Sequence, residues 1–360
     1  MSPGRAVSPG RAASEGPREV RPLPPQDLEH VLAHTAGLWE ALRRRRLFVT
    51  GGTGFFGIWL AESFLHANER LGLGAEALLL SRDPGAFLRR APHLAGRTGL
   101  VFHEGDMGGF EFPRGEFACV IHAATETARR QDPLEIFERN VDGTRRVLEF
   151  ARRAGAERLL FTSSGAVYGR QPPELTLVPE DHAGAPPATE VAAAYGNAKR
   201  AAEFLCAAHA RRHGTVAAIA RCFAFVGPHL PLDTNYAVGN FIRDALAGGP
   251  IRIQGDGTPR RSYLYSADLA AWLWTILLRG ESCRPYNVGA EEDVGIAELA
   301  RTVAAAISPG AAVAVAGRPE AARAPERYVP STRRAREELG LAARIPLAEG
   351  VRRTAAWLGG

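Results

Sequence analysis

The sequence predicts an α/β protein built on a doubly wound parallel sheet, with a smaller α/β part in its C-terminal third. Three observations carry that expectation. Short β-like runs alternate with amphipathic helical patterns up to about residue 228, the first run passes directly into a glycine-rich turn, and the pattern changes after Pro228.

In chain order, residues 1–26 are rich in Pro, Gly, Ser and Arg and contain no continuous apolar stretch, so they read as a disordered lead rather than a secretory signal. A helical pattern over Asp27 to Leu42 ends in four arginines, Arg43 to Arg46, where cations complement a helix C-terminus. The β-like runs are Leu47 to Thr50, Ala77 to Leu80, Leu100 to Phe102, Cys119 to His122, Leu159 to Thr162 and Val216 to Ala220. Between them Trp59 to Leu71, Asn140 to Ala154 and Tyr195 to His213 carry the spacing of amphipathic helices. Alternation of strand and helix implies parallel strands joined by helical crossovers. These segments outline a first unit over residues 27–230. A second part, over 231–360, holds a Pro- and Gly-containing loop, a helix around Phe241 to Leu246, the strand-like Ile251 to Ile253 and a mixed region. Its segment 264–289 is expected to rejoin the core of the first unit.

With 360 residues, 46% of them hydrophobic, the chain can bury a full core. Cys119, Cys206, Cys222 and Cys283 lack Cys-x-x-Cys spacing and suit small buried hydrophobes in a reducing compartment, so the cytoplasm is the expected location. The most apolar segment, Leu269 to Leu278, is about ten residues long against roughly 20 for a membrane span. It reads as a buried helix, and no membrane partner is expected. The net charge of +5 comes from basic residues dispersed among acidic ones without interleaved aromatics, the pattern of a solvated face and not of a nucleic-acid-binding one.

The first run continues as Thr50-Gly51-Gly52-Thr53-Gly54-Phe55-Phe56-Gly57 and enters a helix. Glycines between strand and helix let the backbone turn sharply and approach a pyrophosphate, while the first helical amides face the phosphates. This is the dinucleotide-binding turn of a Rossmann fold. The second run ends Leu80-Ser81-Arg82-Asp83. A carboxylate there suits the ribose 2′-hydroxyl of NAD and an arginine the 2′-phosphate of NADP. Ser81 stands where the acid is sought and Arg82 follows, so the cofactor reads as NAD(P) with NADP favoured; a one-residue slip would bring Asp83 into play. Asp106, just after the third run, either reaches the adenine or forms a turn.

Among 44 basic residues there is one lysine, Lys199, four positions after Tyr195. Residues four apart share a helix face, so the ammonium could hold a cofactor ribose and pull the tyrosine below its usual pKa of about 10, making the phenol a general acid/base. The fifth run delivers Thr162-Ser163-Ser164-Gly165-Ala166-Val167-Tyr168-Gly169. A serine at the C-terminal end of a strand faces the cofactor crevice, and Ser164 completes a Ser/Tyr/Lys constellation with Tyr195 and Lys199. His209 and His213 lie on one helix face, but Ala210 stands where a His-Glu-x-x-His site needs glutamate, so they read as a helix-surface pair and no metal is expected.

Together these residues resemble the extended short-chain dehydrogenase/reductase family, in its NAD(P)-dependent sugar-nucleotide epimerase/dehydratase branch. The likeness runs from Leu47 to about Leu341 and includes His122-Ala-Ala124, Asn140-Val-Asp-Gly-Thr144, Val167-Tyr-Gly169, Val226-Gly-Pro228, Gly255-Asp-Gly257, Arg261-Ser-Tyr-Leu-Tyr265 with Asp268, and Tyr286-Asn-Val-Gly289. The resemblance implies cofactor contacts at Gly51, Thr53, Gly54, Phe55, Phe56, Gly57, Ser81, Arg82, Asp106, Met107, Ala123, Ala124, Tyr195 and Lys199. It implies a sugar-nucleotide substrate held by Ser164, Asn240, Arg261, Asn287 and Arg327, with Arg261 on the diphosphate, and a homodimer formed through two helices of each subunit.

Two departures narrow the reaction. Gly165 and Ala166 stand where the resembling 4,6-dehydratases carry Asp-Glu, and decarboxylating members carry glutamate at the position of Ala166. Neither residue moves a proton. Ala224 stands where many relatives place an asparagine on the sugar diphosphate. The expected activity is 4-epimerisation through a transient 4-keto sugar, with 4-ketoreduction as the alternative that the same residues serve. Elimination and decarboxylation rank behind these, and a non-catalytic cofactor-sensing protein ranks last.

Overall fold

The computed structural model describes residues 19–126, 132–234, 236–320 and 324–359. Along the chain the helices are α1 (Pro25–His34), α2 (Phe55–Arg70), α3 (Pro84–Arg90), α4 (Pro133–Arg153), α5 (Ala194–His213), α6 (Ala237–Leu246), α7 (Ser266–Arg279), α8 (Ile296–Ile307), α9 (Arg333–Leu339) and α10 (Leu347–Gly359). The strands are β1 (Arg46–Thr50), β2 (Glu76–Ser81), β3 (Leu100–Glu104), β4 (Cys119–His122), β5 (Arg158–Ser164), β6 (Val216–Cys222), β7 (Phe225–Val226), β8 (Ile251–Ile253), β9 (Arg260–Ser262), β10 (Leu264–Tyr265), β11 (Pro285–Val288), β12 (Asp293–Gly295), β13 (Val313–Val315) and β14 (Arg327–Tyr328).

Seven strands form one parallel sheet in the order β11-β6-β5-β4-β1-β2-β3. All six expected strands are present, and Pro285–Val288 adds the seventh beside β6. Both faces of the sheet are covered. Leu47 and Val49 of β1 pack into one apolar core with Trp59, Phe64 and Trp274, while Phe48 between them packs into a second with Phe110, Phe117 and Phe150. That alternation follows from the two-residue period of a strand whose two faces are both buried. Strand order reverses between β1 and β4, so a crevice opens at their C-terminal ends, the place where such sheets bind ligands.

Helix α7 is buried through most of its length, which matches the apolar segment Leu269 to Leu278. No helix among the described residues is long and apolar enough to cross a membrane. The C-terminal part adds a three-stranded sheet, β12-β9-β14, and the parallel pair β13-β8, backed by α6 and α8.

The N-terminal expectation needs correcting. Residues 1–18 lie outside the described residues, but the remainder of the expected lead packs against the domain. Val20 and Leu23 are buried, the Val20 amide donates to Arg90 O at 2.7 Å, and the Leu23 amide donates to Glu62 Oε2 at 2.8 Å. Apolar side chains at positions 20 and 23 supply the burial that a Pro- and Arg-rich composition conceals. The helix starts at Pro25 and stops at His34, with a separate 3-10 turn at Trp39–Leu42 after Gly37, whose φ is +80°. Asp27 is fully buried and accepts from Tyr265 Oη at 2.6 Å and Arg353 Nη1 at 2.8 Å, joining the start of the chain to α10.

Candidate active site

The glycine turn closes against the exit of β4. A Cβ at Gly51, whose φ is +72°, would stand 2.6 Å from Ala124 N, and one at Gly57 would overlap the backbone of Gly51 and Gly52. Only glycine fits both places. Gly54 caps α2 without a side-chain hydrogen bond, so the amides of its first turn, including Phe55 and Phe56, remain available at the crevice. A cradle with no room for side chains, an unblocked helix N-terminus and a sheet switch point are what a dinucleotide pyrophosphate requires.

At the end of β2, Ser81 is buried and Arg82 is exposed. Asp83 is the N-cap of α3, its Oδ1 accepting from Ala86 N at 2.7 Å. Asp106 is a turn residue: its Oδ1 accepts from Gly108 N at 3.0 Å, and its carbonyl accepts from the amides of Gly109 and Phe110. The next residue, Met107, lies against α4 at Gly143, where a Cβ would approach its Cγ to 3.0 Å. Close approach of Met107 thus accounts for the glycine in Asn140-Val-Asp-Gly-Thr144.

Beside the turn runs a buried polar chain that sequence reading did not anticipate. His122 sits between Thr50 Oγ1, at 2.8 Å from Nδ1, and Thr144 Oγ1, at 3.1 Å from Nε2. Thr144 donates to Asn140 O at 2.7 Å, so it accepts from His122, and the ring carries its proton on Nε2. Burial lowers the imidazole to about 3, so it is neutral. Asn140 Oδ1 in turn accepts from Thr125 Oγ1 at 2.8 Å. The chain ends on Thr125, whose hydroxyl interacts with that of Tyr195.

Helix α5 presents Tyr195, Lys199 and Glu203 on one face, four residues apart. Glu203 anchors that face to the sheet, accepting from Ser163 Oγ at 2.5 Å and forming an ion pair with Arg221 at 2.7 Å. The Tyr195 hydroxyl meets Ser164 at the end of β5. Burial holds the phenol above its ordinary range, and hydrogen bonds with Ser164 and Thr125 work against that shift. The expected pull of Lys199 on Tyr195 is absent from this arrangement. Lys199 is 2% exposed, its Nζ donates to Thr162 O at 2.9 Å, and it lies 5.8 Å from the Tyr195 ring centroid. Burial lowers the ammonium itself to about 8. The cation reaches a strand carbonyl rather than the phenol oxygen, so desolvation dominates the tyrosine.

The C-terminal sheet supplies the opposite wall. Tyr328 Oη lies 3.5 Å from Ser164 Oγ, and its ring packs on Phe223 with centroids 4.7 Å apart. Gly165 makes room for both: a Cβ there would stand 2.7 Å from the Phe223 ring and 2.7 Å from Tyr328 Oη. β14 pairs with β9 so that Tyr328 is opposite Arg261 and Arg327 is opposite Arg260. Cross-strand partners share a face, so Arg261 joins Tyr328 on the side of Ser164 while Arg327 faces away. Arg327 Nη1 donates to Asp293 Oδ2 at 2.6 Å, and Arg260 pairs with the same carboxylate.

The residues expected to hold the substrate have partners within the protein. Arg327 is engaged with Asp293 on the far face. Asn287 is fully buried: its Nδ2 donates to Val178 O and Ser331 O, and its Oδ1 accepts from Tyr168 Oη at 2.8 Å. With both amide protons engaged and one acceptor position filled, the side chain links β11 to the loops around it. Asn240 is on α6, where its Nδ2 donates to Thr234 O at 2.9 Å and its Oδ1 accepts from Arg243. Arg261 Nη1 donates to Arg260 O at 2.9 Å, its contacts to Glu326 are longer at 3.4 Å, and its guanidinium lies 5.8 Å from the Tyr328 ring centroid. His209, expected on the helix surface, is buried, with its ring 4.8 Å from His213.

Sequence reading missed Thr125 and Phe223. Position alone could have flagged Thr125, which follows directly on His122-Ala-Ala124.

The sequence model of the NAD dependent epimerase/dehydratase family matches residues 47–289. Among curated proteins, the chain is 30% identical over 310 residues to UDP-glucuronic acid decarboxylase 6 of Arabidopsis thaliana, covering 85% of this chain and 86% of that protein. It is 28% identical over 314 residues to UDP-glucuronic acid decarboxylase 1 of Xenopus tropicalis, covering 86% and 71%. Among solved structures, a UDP-glucose 4-epimerase from Thermotoga maritima superposes with a TM-score of 0.71 at 20% identity, covering 87% of this chain and 98% of that one. A UDP-glucuronic acid 4-epimerase from Bacillus cereus superposes at 0.73 with 19% identity and the same coverage. The structural likenesses show a common fold.

Proposed function

The chain belongs to the NAD-dependent epimerase/dehydratase family, and on that premise we propose that it is a sugar-nucleotide 4-epimerase working through a transient 4-keto sugar. The observation that carries this reading is the composition of the crevice beside Ser164. Hydroxyls of Ser164, Tyr195, Thr125 and Tyr328 converge there, whereas Gly165 and Ala166 offer no proton-moving group, and Tyr328 and Phe223 occupy the volume a side chain at 165 would need. Such a site exchanges a hydroxyl proton but has no evident base for a neighbouring carbon.

The glycine turn, the α2 amides and Lys199 hold the cofactor, with Arg82 toward the adenosine ribose, where it favours NADP. Bound NAD(P) supplies the acceptor, and on reversal the donor, of the hydride at C4. Tyr195 takes the proton of the sugar 4-hydroxyl and later returns it, work that general acid/base catalysis accelerates by about 10²–10⁴-fold. Ser164 hydrogen-bonds the same oxygen and stabilises the charge that develops on it. Arg261, on the inner face of β9 opposite Tyr328, grips the nucleotide diphosphate. Residues 27–230 thus bind the cofactor, and 231–360 chiefly cover the substrate. The protein acts in the cytoplasm as a homodimer, joined through α4 and α5, where Leu134 and Phe204 stand 60% and 72% exposed.

A second reading is favoured by the curated relatives, which are UDP-glucuronic acid decarboxylases. Oxidation at C4 of a uronic acid makes a β-keto acid; loss of carbon dioxide leaves an enolate whose oxygen Ser164 and Tyr195 could stabilise, and a proton from water must then be added at C5 before hydride returns to C4.

One experiment separates the readings. The purified chain is incubated with UDP-glucose, UDP-galactose, UDP-glucuronic acid and their dTDP counterparts in deuterated water, with and without added NADH or NADPH. The expected result is a C4 epimer, no net consumption of reduced cofactor and no solvent deuterium at C5 or C6. A pentose product from UDP-glucuronic acid would establish the decarboxylase. Loss of water with deuterium at C5 or C6 would establish a dehydratase, and stoichiometric oxidation of NAD(P)H by a 4-keto sugar a ketoreductase.

A further inference from the structure

The Ser164 hydroxyl has one proton to give and two positions at which to accept. One position accepts from Ala166 N, at 3.1 Å, in the cap of the 3-10 turn Gly165–Tyr168. Tyr328 Oη lies 3.5 Å from the same oxygen. Burial pushes the Tyr328 phenol up to about 12, so it keeps its proton through the neutral range and can donate it. When Tyr328 is the donor, both accepting positions are filled and the Ser164 proton is left to point outward. The hydroxyl it meets there is that of Tyr195.

We propose that Tyr328 is a positioning residue for the reaction: its hydroxyl donates to Ser164 Oγ and so aims the Ser164 proton at the oxygen on which Tyr195 acts. This rests on the acid/base roles proposed for Tyr195 and Ser164. The geometry is held from three sides. The β14–β9 register turns Tyr328 toward the crevice, the Phe223 ring packs on it, and the Arg261 guanidinium lies 5.8 Å from its ring centroid. Gly165 completes the arrangement, because any side chain there would displace the hydroxyl. The 3.5 Å separation is longer than a tight O–H···O bond of about 2.7 Å, and such bonds in catalytic sites commonly shorten when substrate binds.

Action through Ser164 separates this role from direct proton transfer. Tyr328→Phe keeps the ring, its contact with Phe223 and its place beside Arg261, and removes only the hydroxyl. On the substrate identified by the sugar-nucleotide panel, the expected result is a kcat lowered about tenfold with KM changed less than about twofold. Added to Ser164→Ala, the same substitution should cost nothing more, since the group through which it acts is gone. Full additivity of the two losses, an unchanged kcat in Tyr328→Phe, or an effect confined to KM would each overturn the proposal.

A second measurement needs no substrate. Denaturant midpoints of the wild-type chain, the two single variants and the double variant form a cycle, and the expected losses are non-additive because each single substitution breaks the same hydrogen bond. Additive losses would overturn the bond, and with it the relay. A non-additive cycle in a chain that turns over no sugar nucleotide would instead overturn the proposed function and leave the bond standing.

Discussion

The Tyr328 hydroxyl occupies the space that a side chain at Gly165 would need, since a Cβ built on Gly165 would stand 2.7 Å from it. Two parts of the chain 163 residues apart therefore constrain each other: the end of β5 stays bare so that β14 can place a phenol beside Ser164.

Gly165→Ala is expected to push Tyr328 and Phe223 outward and to lose activity by more than about tenfold, with a stability cost of about 1–3 kcal/mol from overpacking. Turnover and denaturant midpoints measure the two effects. Wild-type values for both would show that the wall yields freely.

Lys199→Arg should fold and lose most turnover. Lys199 is 2% exposed beside the Phe161 ring, and its compact ammonium reaches Thr162 O at 2.9 Å in a space that a planar fork does not match. Tyr195→Phe should retain cofactor and lose chemistry, since only the proton-transfer group goes. Cofactor content of the purified variants, read by nicotinamide absorbance, separates the two cases from misfolding.

Arg82→Ala is expected to weaken NADP selectively, by removing a charge-assisted contact to the 2′-phosphate. Asp83 already caps α3 through Ala86 N, which favours Arg82 as the residue that meets the ribose. Equal weakening of NAD and NADP, measured by titration of the cofactor-free protein, would assign Arg82 to structure.

Stability should fall in mild acid because of His122. Its folded pKa, about 3, lies below the unfolded value of about 6.5, so the unfolded chain binds the extra proton between those values. The stabilisation is complete above pH 6.5 and is lost as pH falls toward 3, at about 1.4 kcal/mol per pH unit within the window. Denaturant midpoints between pH 7 and 4.5 test this, and His122→Gln, less stable overall, should show the shallower dependence.

The strand runs were legible because a buried strand writes its burial locally, residue by residue: Leu47, Phe48 and Val49 are apolar in succession because both faces of β1 are covered. The glycine turn was legible for a similar reason, since positive φ at Gly51 and the close approach at Gly57 leave glycine no substitute. Tyr195 and Lys199 could be paired from sequence because the helix repeat alone sets them on one face.

The remainder depends on partners far apart in the chain. Arg327 and Arg261 looked alike in sequence, and only the β14–β9 register turns one toward Asp293 and the other toward the crevice. Asn287 looked free to hold a ligand until Val178, Ser331 and Tyr168 were seen to engage its amide. Lys199 shares a helix face with Tyr195, yet whether its charge reaches the phenol depends on the Thr162 carbonyl that competes for it. The sequence by itself determined the sheet, the glycine turn and the shared helix face of Tyr195 and Lys199, because periodicity and backbone sterics act over a few residues. Tertiary structure alone decided which polar groups face the crevice and which are already satisfied, because hydrogen bonds are short and directional and their partners come from wherever the fold brings the chain together.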